Sequence, residues 1–199
     1  MDSMLGLLQE DDKNVLIAVA QGVVPVLVRK WIRQGKSLYC ASIAEPFEEN
    51  ARAIGSRGGI SSLLEICQAG TPSSQAVAAR VLRNLSIFPE IKENFIEENA
   101  ISILLSLSAS GTSFAQENSI GCLCNLVSDD DDQLKLFIAR EGGIESLKNF
   151  WDSAPTPRSL EVAVELLRNL ASCPLISEVL VSDGFVNRIV SVLNCGVLG

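Results

Sequence analysis

SQAVAARVLRNLS, the stretch from Ser74 to Ser86, decides the fold of this chain. Its apolar residues recur at spacings of three and four, which is the pattern of one buried helical face. These residues are Ala78, Val81, Leu82 and Leu85. Thr71 and Pro72 come just before the stretch and supply a helix N-cap followed by a proline in the first turn. The stretch therefore predicts an amphipathic helix that packs against other helices.

The same helical pattern occurs twice more, as QENSIGCLCNLV at residues 116–127 and LEVAVELLRNLA at residues 160–171. When the three stretches are aligned on their leucines, Asn84, Asn125 and Asn169 fall in one column, at steps of 41 and 44 residues. The apolar residues around this column vary while the amide keeps its place. An asparagine held in this way requires either a structural or a recognition role.

A second column, of short turns, supports the repeat. Its members are Gly22, Gly58, Asn99, Gly142 and Gly184, at steps of 36, 41, 43 and 42 residues. A period near 42 is typical of the helical solenoids of the HEAT and armadillo types. Glycine or asparagine at such a corner permits the left-handed backbone that joins two helices at a steep angle.

Each complete unit is predicted to contain three helices. In the unit centred on Asn99, residues 89–98 form the first helix and residues 100–109 the second. Ser113 and Gln116 have the spacing of a capping box, and they are predicted to open the third helix.

The repeated helix resembles the last helix of the armadillo repeat, which has the form Q-x-x-A-A-x-x-L-x-N-L. The matching residues are Gln75, Ala78, Ala79, Leu82, Asn84 and Leu85. The resemblance extends over about residues 13–196, and the glycine-glycine-isoleucine turns are most similar to plant vacuolar-protein-8-like armadillo-only proteins. It implies an all-α fold, a right-handed α-solenoid of about four three-helix repeats, with the first degenerate and the last incomplete.

The predicted divisions follow the two columns. They are a partial helix or frayed N-terminus at 1–12, a degenerate repeat at 13–49, repeats at 50–88, 89–128 and 129–172, and an incomplete repeat at 173–199. Solenoid units bury their faces only on neighbouring units, and no polar capping unit is evident at either end. We therefore expect self-association through the uncapped ends, coverage by a partner, or a truncated, non-functional gene product.

Composition narrows the classes of function. The chain is 47% hydrophobic, only 5% aromatic, and has a net charge of −8, which disfavours a nucleic-acid surface. It has no histidine, which excludes Ser-His-Asp and Cys-His catalysis and histidine metal ligands. Its six cysteines form no C-x-x-C pair and predict small buried side chains in a reducing compartment. We expect no cofactor and no metal, and a cytoplasmic or nuclear location.

The uncharged run at residues 14–28 is interrupted by Gln21, Gly22 and Pro25, and it falls short of the roughly 20 residues that a membrane-spanning helix needs. Direct membrane insertion is therefore not expected.

The resemblance also implies a binding site. In armadillo proteins, the third helices line a concave groove, and their asparagines hydrogen-bond the backbone of an extended peptide. The residues carried over to this groove are Asn84, Asn125, Asn169, Arg80, Arg83 and Arg168. The alternative is that each asparagine bonds only the neighbouring turn, and that the arginines are solvated rather than paired with carboxylates or phosphates of a partner.

Members of the family that import basic peptides carry tryptophan where this chain has Arg80, Gly121 and Glu165, so a nuclear-import receptor is not expected. An enzyme is disfavoured because the sequence has no histidine, no glycine-rich loop for binding phosphate, and no pair of acids at the spacing of a catalytic cleft. The sequence therefore predicts a protein-interaction scaffold that binds an extended peptide. The alternative is the substrate-recognition part of a U-box ubiquitin ligase, although no U-box lies within residues 1–199. Substituting Asn125 and Asn169 together by alanine should weaken peptide binding and leave helicity intact.

Overall fold

A computed structural model describes residues 58–127, 131–153 and 156–194, with side chains to residue 191. This part of the chain is helical and contains no strand. Its α-helices are α1 (Gly59–Ala69), α2 (Pro72–Leu85), α3 (Lys92–Glu97), α4 (Ala100–Ser110), α5 (Ser113–Leu126), α6 (Asp132–Arg140), α7 (Gly143–Ser153), α8 (Pro157–Ala171), α9 (Pro174–Ser182) and α10 (Phe185–Asn194). The predicted segments 1–12 and 13–49, and the start of 50–88, lie outside the described residues.

The helices form stacked units. Helices α3, α4 and α5 make one three-helix unit, and α6, α7 and α8 make the next. The third helices α2, α5 and α8 pack side by side, and the second helices α1, α4 and α7 pack in a parallel row behind them. An all-helical α-solenoid is therefore confirmed.

Four residues of the turn column have the predicted left-handed backbone, and the fifth, Gly22, lies outside the described residues. The φ angles are 71° at Gly58, 55° at Asn99, 93° at Gly142 and 73° at Gly184, and Asn99 is the one residue other than glycine with a positive φ among the described residues. Asparagine tolerates this region better than most side chains because its short amide bonds locally. Each of these residues lies immediately before the first residue of a second helix.

Threonine caps each of the three third helices. The hydroxyls of Thr71, Thr112 and Thr156 accept hydrogen bonds from the backbone amides of Ser74, Ala115 and Ser159, at 3.3, 3.3 and 3.1 Å. The capping box predicted for Ser113 and Gln116 is wrong, because Thr112 is the N-cap and α5 already begins at Ser113. The predicted first helix at 89–98 is a 3₁₀ turn, Pro89–Ile91, that leads into α3.

The leucine column forms the centre of the core. This column is Leu82, Leu123 and Leu167, each two residues before the asparagine of its helix; Leu82 and Leu123 are fully buried, and Leu167 is 8% exposed. Cysteines 67, 122, 124 and 173 are buried as free thiols, which confirms their interpretation as small core side chains; Cys40 and Cys195 lie outside the described residues. Burial raises the pKa of the Cys67 and Cys122 thiols to about 12, so both stay protonated and unreactive at neutral pH.

A search of the described helices for a bilayer-spanning segment finds none of sufficient length and hydrophobicity.

Candidate interaction surface on the third helices

The exposed sides of α2, α5 and α8 form one continuous surface, which we call the third-helix surface. It is defined by the positions of Arg80, Arg83 and Asn84 on α2 and by the residues aligned with them on α5 and α8. Because these helices pack directly against each other, aligned positions lie in rows that cross the helices. One row is Arg80, Gly121 and Glu165, and another is Asn84, Asn125 and Asn169.

The asparagine amides connect neighbouring repeats. The Nδ2 of Asn125 donates to the backbone carbonyl of Arg83 at 2.9 Å and to the Ser86 hydroxyl at 3.1 Å. The Nδ2 of Asn169 donates to the carbonyl of Cys124 at 3.3 Å. Each amide therefore bonds the preceding third helix rather than its own turn, whereas Asn84 forms no hydrogen bond with the described residues. These bonds hold adjacent third helices in register.

The amide orientation follows from these partners. A backbone carbonyl can only accept, so the nitrogen of each side chain must face it. This leaves the Oδ1 of Asn125 without a donor among the described residues, whereas the Oδ1 of Asn169 accepts from Arg168 at 3.4 Å. Asn169 is only 6% exposed, while Asn125 is exposed and Asn84 is half-buried. Of the two amides that bond the preceding helix, the one that can accept a hydrogen bond from a partner's backbone is thus that of Asn125, through its oxygen.

Arg83 lies across the middle of the surface. A Cβ placed on Gly121 would come within 2.3 Å of the Arg83 Nε, so the arginine occupies the space that a side chain at 121 would need. Its Nη1 is 3.9 Å from Glu117 Oε1. The same carboxylate is 3.5 Å from the Nε of Arg158 and accepts a 3.0 Å hydrogen bond from Ser159. Arg83 is therefore paired with a carboxylate of its own chain.

The other two arginines have different surroundings. The Arg80 guanidinium lies 5.9 Å from the ring centroid of Phe114, a cation–π contact on a ring that is 49% exposed. Arg168 is exposed and contacts the amide of the next residue, Asn169. Neither Arg80 nor Arg168 has a carboxylate partner in the part of the chain that the structure describes.

Sequence reasoning missed three residues of this surface: Phe114, Glu117 and Ser86. Phe114 stacks with Arg80, Glu117 binds arginines from two other helices, and Ser86 accepts a hydrogen bond from Asn125. The alignment carried a usable signal for Glu117. This residue lies one helical turn before Gly121, the residue aligned with Arg80, so it was expected near the arginines of the surface. Ser86 directly follows the helix and carried no comparable signal.

The amide bonds predict unequal losses of stability. We expect Asn169→Ala to lower the free energy of unfolding by about 1–3 kcal/mol, because it removes a buried hydrogen bond to a carbonyl. The matched change Asn125→Ala should cost at most about 1 kcal/mol, because its site is exposed to water. Urea unfolding followed by circular dichroism measures both. Equal losses would contradict the difference in burial.

The groups needed to bind a metal ion are not clustered, since no set of three or more cysteine, aspartate or glutamate side chains with suitable placement occurs among the described residues.

Comparison with known proteins agrees with this geometry. Armadillo repeat-containing protein 8 of zebrafish (Danio rerio) is 32% identical over 124 residues, which cover 61% of this chain. Two crystal structures of engineered proteins superpose with a TM-score of 0.63 over 96% of this chain, at 22% identity, and the match covers 80% of one and 48% of the other. No protein-family model matches the chain. The chain is thus similar to an armadillo repeat-containing protein over 61% of its length.

The match covers 18% of the zebrafish protein, so this chain corresponds to less than a fifth of that relative's length. At 22% identity, the engineered proteins support the fold alone. The similarity to plant vacuolar-protein-8-like proteins stays a prediction.

Proposed function

We propose that this armadillo-like array is a non-enzymatic scaffold that binds an extended segment of a partner protein on the third-helix surface. The observation that carries the proposal is the row of asparagines that crosses three directly packed helices, with Asn125 presenting an amide oxygen. Phe114 lies three helical turns before Asn125 on the same face of α5 and adds an exposed aromatic ring, and aromatic side chains are frequent anchors in interfaces. Backbone contact through the amide and side-chain contact through the ring together suit an extended peptide.

The experiment is a selection from a displayed library of random twelve-residue peptides. We expect the selected peptides to bind the wild-type chain and to lose about tenfold in affinity with Phe114→Ala, measured by fluorescence anisotropy. The matched control is Leu175→Ala. This side chain is 61% exposed but belongs to α9, which is not part of the third-helix surface. No enriched peptide, or equal losses for both variants, would contradict the proposal.

The double substitution of Asn125 and Asn169 is a weaker test than the sequence alone indicated. Both amides donate to a neighbouring repeat, so their removal changes the packing of the third helices as well as any bound peptide. The exposed ring of Phe114 avoids this overlap.

Other features of the function stay proposals. A protein partner rather than nucleic acid, an intracellular location and the U-box alternative rest on the sequence alone. The proposed self-association draws support from one column of the second helices: Ile60 and Ile101 are 1% and 2% exposed and Ile144 is half-buried, whereas the aligned Val186 on α10 is 46% exposed. This apolar position is thus more exposed on α10 than on the other second helices.

A further inference from the structure

The centre of the third-helix surface contains two arginines that share one carboxylate. Arg83, Glu117 and Arg158 come from α2, α5 and α8, and they form a connected set of ion pairs in which Glu117 is the shared acid. Ser159 donates a further hydrogen bond to the same carboxylate. Two guanidinium groups against one carboxylate leave the centre with a net charge of +1. Because Arg83 fills the space above Gly121, the centre offers a partner little room.

One side of this centre keeps a positive charge. Arg80 forms no ion pair within the described residues, and α2 contains no acidic residue. Its guanidinium is oriented over Phe114 by the cation–π contact, which leaves its hydrogen-bond donors for a carboxylate. This side of the surface therefore suits an acidic side chain.

The opposite side keeps negative charge. Glu161 and Glu165 are exposed, lie one helical turn apart on α8, and neither is ion-paired in the ranges that the structure describes. Arg168 also lies on this helix, but its recorded contact is to the amide oxygen of Asn169. Arg158 also lies on α8, but it pairs with Glu117 at the centre. The remaining two carboxylates against one cation leave this side net negative, so it suits lysine or arginine side chains.

The two sides are separated by a fixed span. Arg80 and Glu165 occupy the same position in repeats that are two helices apart, and packed helices lie roughly 8–10 Å from axis to axis. The span is thus about 16–20 Å, which about five or six extended residues cover.

We infer that the surface recognises an extended peptide with an acidic residue at one end and basic residues at the other, separated by about five small or polar residues. The inference rests on the proposed function and specifies its partner. The acidic end lies at Arg80 on α2, and the basic end lies at Glu161 and Glu165 on α8. The charges do not fix the direction of the peptide chain, so either main-chain direction satisfies the rule.

The test uses the same displayed library at about 50 mM salt, where exposed charge pairs are least screened. We expect enriched peptides to carry opposite charges about five residues apart. A synthetic peptide of this kind should bind roughly five- to tenfold more tightly than a peptide of the same composition with its charges intermixed. With Glu161→Lys and Glu165→Lys together, the selection should enrich acidic residues in place of basic ones.

The outcomes separate the two proposals. Enriched peptides that lose affinity with Phe114→Ala but show no separation of charge would overturn this inference and leave the scaffold proposal standing. No enrichment at all would overturn both. If the variant with Glu161→Lys and Glu165→Lys selects the same peptides as the wild type, the inference is also overturned. An unchanged circular dichroism spectrum would show that this variant is folded.

Discussion

Leu123→Ala is expected to lower the free energy of unfolding by about 2–5 kcal/mol. Leu123 is fully buried on α5, the third helix that packs against both α2 and α8. The substitution removes apolar surface from the core and leaves a cavity that rigid helices fill only in part. Because each repeat contacts only its neighbours, a cavity in the middle helix weakens the coupling on both of its sides.

Urea unfolding monitored by far-ultraviolet circular dichroism measures this loss. The matched control is Leu175→Ala, the same change at a side chain that is 61% exposed, which should shift the free energy of unfolding by no more than about 0.5 kcal/mol. If the two variants lose the same stability, the leucine column is not the core of this array.

Gly143→Ala is expected to cost about 1–3 kcal/mol. A Cβ on Gly143 would lie 2.5 Å from the Ile138 methyl group and 2.6 Å from the Ile138 carbonyl oxygen. A backbone atom cannot swing aside as a flexible side chain can, so α6 must shift relative to α7. The buried corner between these helices therefore requires glycine.

The adjacent glycine provides the matched control. Gly142 has a φ of 93°, and a Cβ there would meet no atom within 4 Å. Asn99 occupies the aligned corner of the preceding repeat with a positive φ, so Gly142→Asn should cost less than about 1 kcal/mol. Thermal unfolding of both variants checks the order. A larger loss for Gly142→Asn than for Gly143→Ala would contradict it.

Periodicity predicted the fold because it reports the environment of many residues together. The leucine column and the turn column each indicate which residues face the core and where helices meet, and the φ angles of Gly58, Asn99, Gly142 and Gly184 agree. The cap of α5 was predicted one residue late, since Thr112 and Ser113 are both acceptable N-caps and local spacing does not distinguish them.

The site was less predictable, because its properties depend on contacts between repeats. The column of asparagines predicted a row that crosses the packed third helices, yet the sequence could not show that Asn125 and Asn169 donate to the preceding helix. Likewise, Arg83 was expected to contact a partner. Its ion pair with Glu117 could not be predicted, because it depends on how α2 and α5 pack together. Partners about 34–45 residues apart in sequence are decided by the geometry of the stack.

The most direct test of the account is the nuclear magnetic resonance footprint of a selected peptide on the ¹⁵N-labelled chain. If the third-helix surface is the binding site, the largest amide shift changes will lie in α2, α5 and α8, around Arg80, Asn125 and Glu165. Largest changes in α9 and α10 instead, with the three third helices unaffected, would contradict the central claim.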